Sequence, residues 1–271
     1  MIEITDEELR AMNKAIFVRY KIDFTQYAMP SFKRVVTGAM YAFKMDTLFE
    51  LWRAILADKE FMLKFIDQIT VGMTSMFRFP RLWFRLKNDI LPNHFQHSYN
   101  ISIMHAGCST GEEIYTMGIV LQEAKMQFKA KAIAVDLNRK SIAFAKAGVF
   151  HNATMEQNRK QNLEYSPSSR LDKYYTIQED KYIMNADLRK HVDFRVQNIV
   201  SEPIQEKFDI IFCRNVMIYF DEDLKAKIIQ KFYHALNPRG FLIIGGLDFN
   251  NFITKDQFEF YSPSERIYRK I

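Results

Sequence analysis

Three carboxylates stand out by type and spacing as residues that could hold a charged ligand: Glu112 and Glu113 directly behind a glycine turn, and Asp136 at the end of the next hydrophobic run. The turn is Ala106-Gly107-Cys108-Ser109-Thr110-Gly111. It follows a short apolar run, Ile101 to Met104, and precedes a helical pattern with Ile114, Met117, Leu121 and Ala124 on one face. Strand, glycine turn and helix together present backbone N–H groups and a helix N-terminus to a cofactor. Gly107 would let that cofactor approach the backbone, and Gly111 would relieve crowding where the helix starts. A pyrophosphate would be repelled by the two acids, whereas an ammonium or sulfonium group would be attracted. The plainer reading is an ordinary turn with acids that favour the helix dipole.

Asp136 adds weight to the cofactor reading. It ends the run from Lys131, where a Rossmann-type sheet holds the hydroxyls of an adenosine ribose. A spaced acid without the third glycine of a dinucleotide fingerprint points to S-adenosylmethionine rather than NAD. Asp136 could also cap the helix that starts near Asn138, and the two roles are compatible. Further candidates lie at later strand ends: Asn198 after Val192–Val196, and Arg214 through Tyr219 after Phe208–Cys213. Polar groups at successive carboxyl ends point to one shared site.

The six histidines include no HExxH pair or other spaced metal-ligand set, so no metal is expected, and there is no G-x-S-x-G elbow. Two cysteines, Cys108 and Cys213, are too few for a disulfide framework or a multi-cysteine zinc site. The expected compartment is the cytoplasm, because no apolar run approaches the ~18 residues of a membrane span and MIEITDEELR is not signal-like. A net charge of +6 suits an acidic partner surface but is too mild to argue for nucleic acid.

The elements that must position these residues form two groups. Thr5 to Glu8 reads as a capping box for a helix to about Arg19. Three further apolar stripes follow: Phe32 to Met40, Leu48 to Leu56, and Phe61 to Ile69. Arg19, Lys21, Lys33 and Arg34 read as a solvated face rather than a docking face. Thr74 to Pro80 breaks the helical pattern, and Arg78 among aromatics there suits anchoring a carboxylate or stacking on a ring. A helix from Arg81 to about Leu91 and a connection from Pro92 to Asn100 give a helical domain over 1–90 and a sheet domain over 91–271. Residues 151–190 form an insertion, helical first and β later, with a hairpin turning at Glu179-Asp180. Asp221 to Leu236 reads as a helix stopped by Asn237–Gly240, Phe241 to Gly245 as a strand, and the tail as a hairpin around residues 262–265. The fold class is α/β, a doubly wound Rossmann-like sheet.

AGCSTGEE, FCRNVMIYFD and TSMFR, in these positions, resemble the CheR family of chemotaxis-receptor glutamate O-methyltransferases. YKIDFTQYAMPSFKRV resembles that family's N-terminal region, so the likeness spans nearly the whole chain. The resemblance implies a helical N-terminal domain, a seven-stranded class I methyltransferase domain and a small inserted β-subdomain. It implies transfer of a methyl group from S-adenosylmethionine to glutamates on the cytoplasmic helical domain of a chemoreceptor, by a monomer that neither enters the membrane nor binds nucleic acid.

By the same resemblance Glu113 and Asp136 bind the cofactor, Asp136 through the ribose, together with Ala106, Gly107, Arg214 and Asn215. Asn198 and Ile199 lie near the adenine. Thr74 and Arg78 reach across from the helical domain, and Tyr219 stands beside the reacting methyl, making Arg78 and Tyr219 the catalytic pair. Four features depart from the family pattern: Gly72 for a polar residue, Phe79 for an acid, Ile114 for a proline, and Gly246-Leu247-Asp248 for His-Ser-Glu. The first bears on a cofactor contact, and the others are expected near the cleft mouth, where they bear on the protein substrate. These departures motivate an alternative, a cofactor-binding module that regulates a partner without turnover. The short hairpin turn, Gln178 to Lys181, suggests direct recognition of the receptor bundle without a C-terminal tether.

Overall fold

The computed structural model describes residues 4–70, 74–246 and 252–271, so Gly72, Leu247 and Asp248 lie outside the described residues. Four helices come first: α1 (Asp6–Tyr20), α2 (Met29–Phe43), α3 (Leu48–Ala57) and α4 (Lys59–Ile69). Thr5 and Glu8 form a reciprocal capping box at α1, and Thr47 and Glu50 another at α3. Each box satisfies backbone N–H groups that a helix start leaves without partners. The apolar stripes close on one another, with Leu9, Met12, Ile16, Val36, Met40, Leu51, Ile55 and Phe65 buried in one cluster.

Next come α5 (Pro80–Arg85), a π-helical stretch Leu86–Ile90, and α6 (Leu91–Phe95). The sequence pattern predicts a helix that ends near Leu91 and a connection from Pro92. The helix instead runs through Pro92, because the π stretch widens the turn before it and Leu91 donates to Leu86 O, five residues back. A proline lacks the N–H and crowds the carbonyl four residues earlier, and a π turn accommodates both defects. Residues 76–95 also pack with the sheet rather than with the four helices: Met76, Leu82, Trp83, Leu86 and Phe95 share a core with Ile103, Ile210 and Phe241. The expected boundary at residue 90 therefore differs from the packing, where the helical cluster ends at Ile69. Helical periodicity shows that a face is apolar but not which core it joins.

The sheet is built from β1 (Ile101–Ala106), β2 (Ala130–Asp136), β6 (Val192–Val196), β7 (Phe208–Cys213), β8 (Leu236–Ile244), β9 (Phe258–Ser262) and β10 (Ile267–Lys270), in the order β6-β2-β1-β7-β8-β10-β9. The β6-β2-β1-β7-β8 pairs are parallel, and β10 runs against both its neighbours. Helices α7 (Glu112–Glu123), α8 (Arg139–Ala147) and α10 (Glu222–Ala235) provide crossovers. This is a doubly wound α/β sheet. One expectation shifts at β8. Asn237–Gly240 does not precede the strand but bulges within it, since Leu236 pairs with Phe208 and Phe241 with Ile210.

After α8 the chain forms β3 (Val149–His151), α9 (Asn152–Tyr165), β4 (Tyr175–Gln178) and β5 (Lys181–Met184), with β3, β5 and β4 in a separate antiparallel sheet. The helical segment and the sheet are tied directly. Ala28 N–H donates to Tyr219 O at 2.9 Å and Asp221 N–H to Gln26 O at 2.9 Å. Asn138 Nδ2 reaches Asp67 O at 2.9 Å and Thr70 Oγ1 at 3.0 Å.

Candidate functional site

At the carboxyl ends of β1, β2, β6 and β7 a cavity opens between the sheet and the helical segment. Its floor is the glycine turn. Gly107 has φ +77°, and a Cβ there would lie 2.3 Å from Val216 Cγ2. Gly111 has φ +97°, and its Cβ would meet the Ala145 backbone at 2.9 Å. Both positions therefore demand glycine for conformation and for space.

Asp136 closes one end of the cavity. Ser109 N–H donates to Oδ2 at 2.8 Å and Asn138 N–H to Oδ1 at 2.9 Å. Burial raises the Asp136 pKa, and these backbone bonds only partly oppose the shift. Each carboxylate oxygen keeps further acceptor capacity, which matches two vicinal hydroxyls. Asn138, not Asp136, caps α8, accepting from Ser141 N–H at 2.9 Å.

The other end is charged. Glu113 Oε1 lies 2.8 Å from His105 Nδ1, and its Oε2 accepts from Arg214 at 3.1 Å. Burial raises the Glu113 pKa, but the bond and charge of His105 and those of Arg214 outweigh it and leave it lowered. A second Arg214 nitrogen donates to Arg78 O at 2.7 Å, and Trp83 Nε1 donates to the same carbonyl at 3.1 Å. The Arg78 loop is further pinned by Met76 N–H on Asn158 Oδ1 at 2.8 Å and by Phe77 N–H on Thr116 Oγ1 at 3.0 Å. Phe77 and Phe79 flank Arg78 with φ of 54° and 60°. Bulky side chains seldom adopt this left-handed region, so the loop is a shape held by its surroundings.

Thr74, Arg78, Gly107, Glu113, Asp136, Asn198, Ile199, Arg214, Asn215 and Tyr219 all line this one cavity. Ala106 does not: it is the last residue of β1 and its methyl group faces the core with Val135 and Ile211. Glu112 is also turned away and buried, its carboxylate accepting from Thr110 Oγ1 at 2.7 Å, so only one of the paired acids meets the cavity. Sequence reasoning missed Tyr27, Val35, Ile69 and Thr70 on the helical side, and Leu137, Gln197 and Val200 on the sheet side. Leu137 could have been found as the neighbour of Asp136. Nothing local marks Tyr27, which arrives because its segment pairs with Tyr219–Asp221. Burial, with Asp136 and Tyr219 nearby, pushes the Tyr27 pKa upward, keeping its hydroxyl a donor.

Two of the departures are neighbours: a Cβ on Gly246 would lie 3.4 Å from the Phe79 ring, which in turn covers the Arg214 guanidinium at 5.6 Å. Ile114, expected near the cleft mouth, is instead buried against Cys108, Ala134 and Ile142. It lies on the α7 face that covers the sheet, where an apolar residue packs.

The cavity suits S-adenosylmethionine on its own geometry. Asp136 offers acceptors for a ribose, Leu137, Ile199 and Val200 offer apolar walls, and Arg78, Glu113 and Arg214 gather opposite charges for an amino-acid zwitterion. A family model described as CheR methyltransferase, SAM binding domain, matches residues 72–266. The chain belongs to the CheR methyltransferase family. S-adenosylmethionine is the cofactor of this CheR domain. A Pseudomonas putida protein named Cher3 is 31% identical over 98% of this chain and 97% of its own. Proteins named chemotaxis protein methyltransferase are 31% identical in Borreliella burgdorferi, over 90% of this chain and 88% of theirs, and 27% identical in Vibrio parahaemolyticus, over 100% and 98%. Among the described residues no helix is long and apolar enough to cross a membrane.

Proposed function

We propose that this CheR protein methylates glutamate side chains on the cytoplasmic helical domain of a chemotaxis receptor, tuning sensory adaptation, and works as a cytoplasmic monomer. The observation that carries this reading is the convergence of Arg78 and Tyr219 on the cavity that also holds Asp136 and Glu113. A glutamate carboxylate, with a reference pKa of about 4.3, is already ionised at neutral pH and needs no general base. S-adenosylmethionine supplies the electrophilic methyl group, and its carbon–sulfur bond breaks as the ester bond forms, leaving S-adenosylhomocysteine.

What remains for the protein is alignment and exclusion of water. Arg78 orients the incoming carboxylate, for which a planar guanidinium is suited. Tyr219 packs beside the reacting centre and positions the attacking oxygen. Asp136 holds the ribose, Asn198 and Ile199 lie near the adenine, and Thr74, Gly107 and Asn215 complete the cofactor wall. The names of the relatives support chemotaxis as the setting.

The departures at Phe79 and Gly246, which are neighbours at the cavity's edge, motivate a second reading, a module that binds cofactor and partner without turnover. Transfer of radiolabelled methyl groups to receptor-containing membranes, with base-labile release as methanol, tests the choice. No label on receptor despite bound cofactor would reject the methyltransferase reading.

A further inference from the structure

His105 is a buried imidazole to which the proposed chemistry gives no task. Its side chain is 1% exposed, and it stands on β1 behind the cavity wall. Its Nδ1 is 2.8 Å from Glu113 Oε1. Glu113 is held ionised by its partners, and an ionised carboxylate can only accept, so Nδ1 carries the proton of this bond. The ring also stacks on Phe212, its pairing partner on β7, with centroids 4.7 Å apart and planes at 7°.

These contacts belong to a closed circuit. From His105 it passes through Glu113 to Arg214, and from Arg214 to the Arg78 carbonyl. Trp83 donates to that same carbonyl and stacks on Phe212 at 5.6 Å, and Phe212 returns to His105. Arg214 also lies over the Trp83 ring at 5.6 Å. Both Glu113 oxygens are thus engaged from behind, and both anchors of the Arg78 carbonyl lead back to His105.

We propose that His105 is a positioning residue: through its Nδ1–H bond it fixes the Glu113–Arg214 pair, and through that pair the loop that presents Arg78. The proposal rests on the reading of Arg78 as the residue that places the attacking carboxylate. A purely packing role makes a different demand. A phenyl ring would stack on Phe212 equally well and would avoid burying a polar group. The bond to Glu113 is what a phenyl ring cannot supply.

The test compares His105→Phe, which keeps the ring, with His105→Asn, whose amide N–H can occupy the Nδ1 position. His105→Leu replaces the phenylalanine variant if that one does not fold by circular dichroism. The expected result is a loss of about tenfold or more in single-turnover methyl transfer for His105→Phe, with the Kd for S-adenosylhomocysteine changed by less than about threefold and substantial recovery in His105→Asn. In a Glu113→Gln background, His105→Phe should add almost nothing. Wild-type turnover in His105→Phe, equal losses in the Phe and Asn variants, or losses that multiply with Glu113→Gln would each overturn the proposal. Trp83 emission, read in a Trp52→Phe background, gives an arm independent of substrate. It should shift in His105→Phe, return in His105→Asn, and be insensitive to His105→Phe once Glu113→Gln is present. If the wild-type protein methylates no receptor, the proposed function fails while this fluorescence cycle still decides the role of His105.

Discussion

Arg214 reaches Glu113 at 3.1 Å, with the two side chains 4% and 17% exposed, so the pair is a largely buried join between the start of α7 and the end of β7. Such a pair costs desolvation when made and costs more when only one partner is removed. Glu113→Gln should therefore lower stability by about 1–3 kcal/mol and weaken cofactor binding. The pH dependence has a defined sign. The folded Glu113 pKa is lowered from 4.5, so its stabilisation is fully present above pH ~4.5 and is lost as pH falls through the lower folded value. Urea unfolding across pH 3–7 should show an acid-side loss that the Gln variant lacks. An identical acid limb in both proteins would remove the pair from the stability account.

Asp136 should behave in the opposite way. Its pKa is raised above 3.8, chiefly by burial, whereas that of Glu113 is lowered below 4.5. Ribose hydroxyls donate to the ionised form, and binding should weaken as pH falls through the raised value. Calorimetric Kd values for S-adenosylhomocysteine between pH 4 and 7 test this. Asp136→Ala should weaken binding by about 1–3 kcal/mol at neutral pH and remove the pH dependence. Unchanged affinity would move the ribose elsewhere.

Gly107 separates space from conformation. Its missing Cβ leaves room for Val216, 2.3 Å from where that atom would stand. Gly107→Ala should be strongly impaired in cofactor binding. Val216→Ala added to it should restore part of the loss but not all, because the φ of +77° still costs an L-residue about 1 kcal/mol. Full restoration would mean that the backbone conformation carries no cost there.

What could be read in the sequence was whatever is local. Capping boxes, the strand–turn–helix around Gly107, the acid ending β2 and the hairpin at Glu179-Asp180 each follow from neighbours a few residues apart, and the structure has them. Strand ends were legible because buried strands break at polar residues, and Asp136, Asn198 and Arg214 mark those breaks. Long-range consequences were not. Tyr27 enters the cavity because Gln26–Ala28 pairs with residues nearly two hundred positions later. His105 sits in an apolar run that gives no hint of its partner. Pro92 reads as a stop because the widening that tolerates it lies in the preceding turn.

The short turn between β4 and β5, with only Glu179 and Asp180 between the strands, motivates a prediction about the partner. If the protein recognises the receptor bundle directly, removing a receptor's C-terminal tail should leave its methylation rate within about twofold, whereas a lost tether would cost the large gain that effective concentration confers. A strong fall on tail removal, measured with labelled cofactor, would show that the tail is used.

The division between binding and chemistry can be tested at Arg78 and Tyr219. Arg78 stands on a loop whose carbonyl is clamped by Arg214 and Trp83, whereas Asp136 and the glycine turn belong to the sheet. If Arg78 places the attacking carboxylate, Arg78→Ala should lose turnover by ~10² or more, with a much smaller change in cofactor Kd. Lysine should rescue poorly, since an ammonium cannot grip a carboxylate in a planar two-pronged geometry. Were Arg78 chiefly a cofactor ligand, affinity and rate would fall together. Tyr219→Phe then asks what the neighbouring ring contributes. A small loss assigns it to packing beside the methyl group, and a large loss assigns the hydroxyl to orienting the nucleophile. Calorimetry and single-turnover transfer, on variants shown to be folded by circular dichroism, distinguish these cases. Wild-type turnover in Arg78→Ala would take Arg78 out of the reaction.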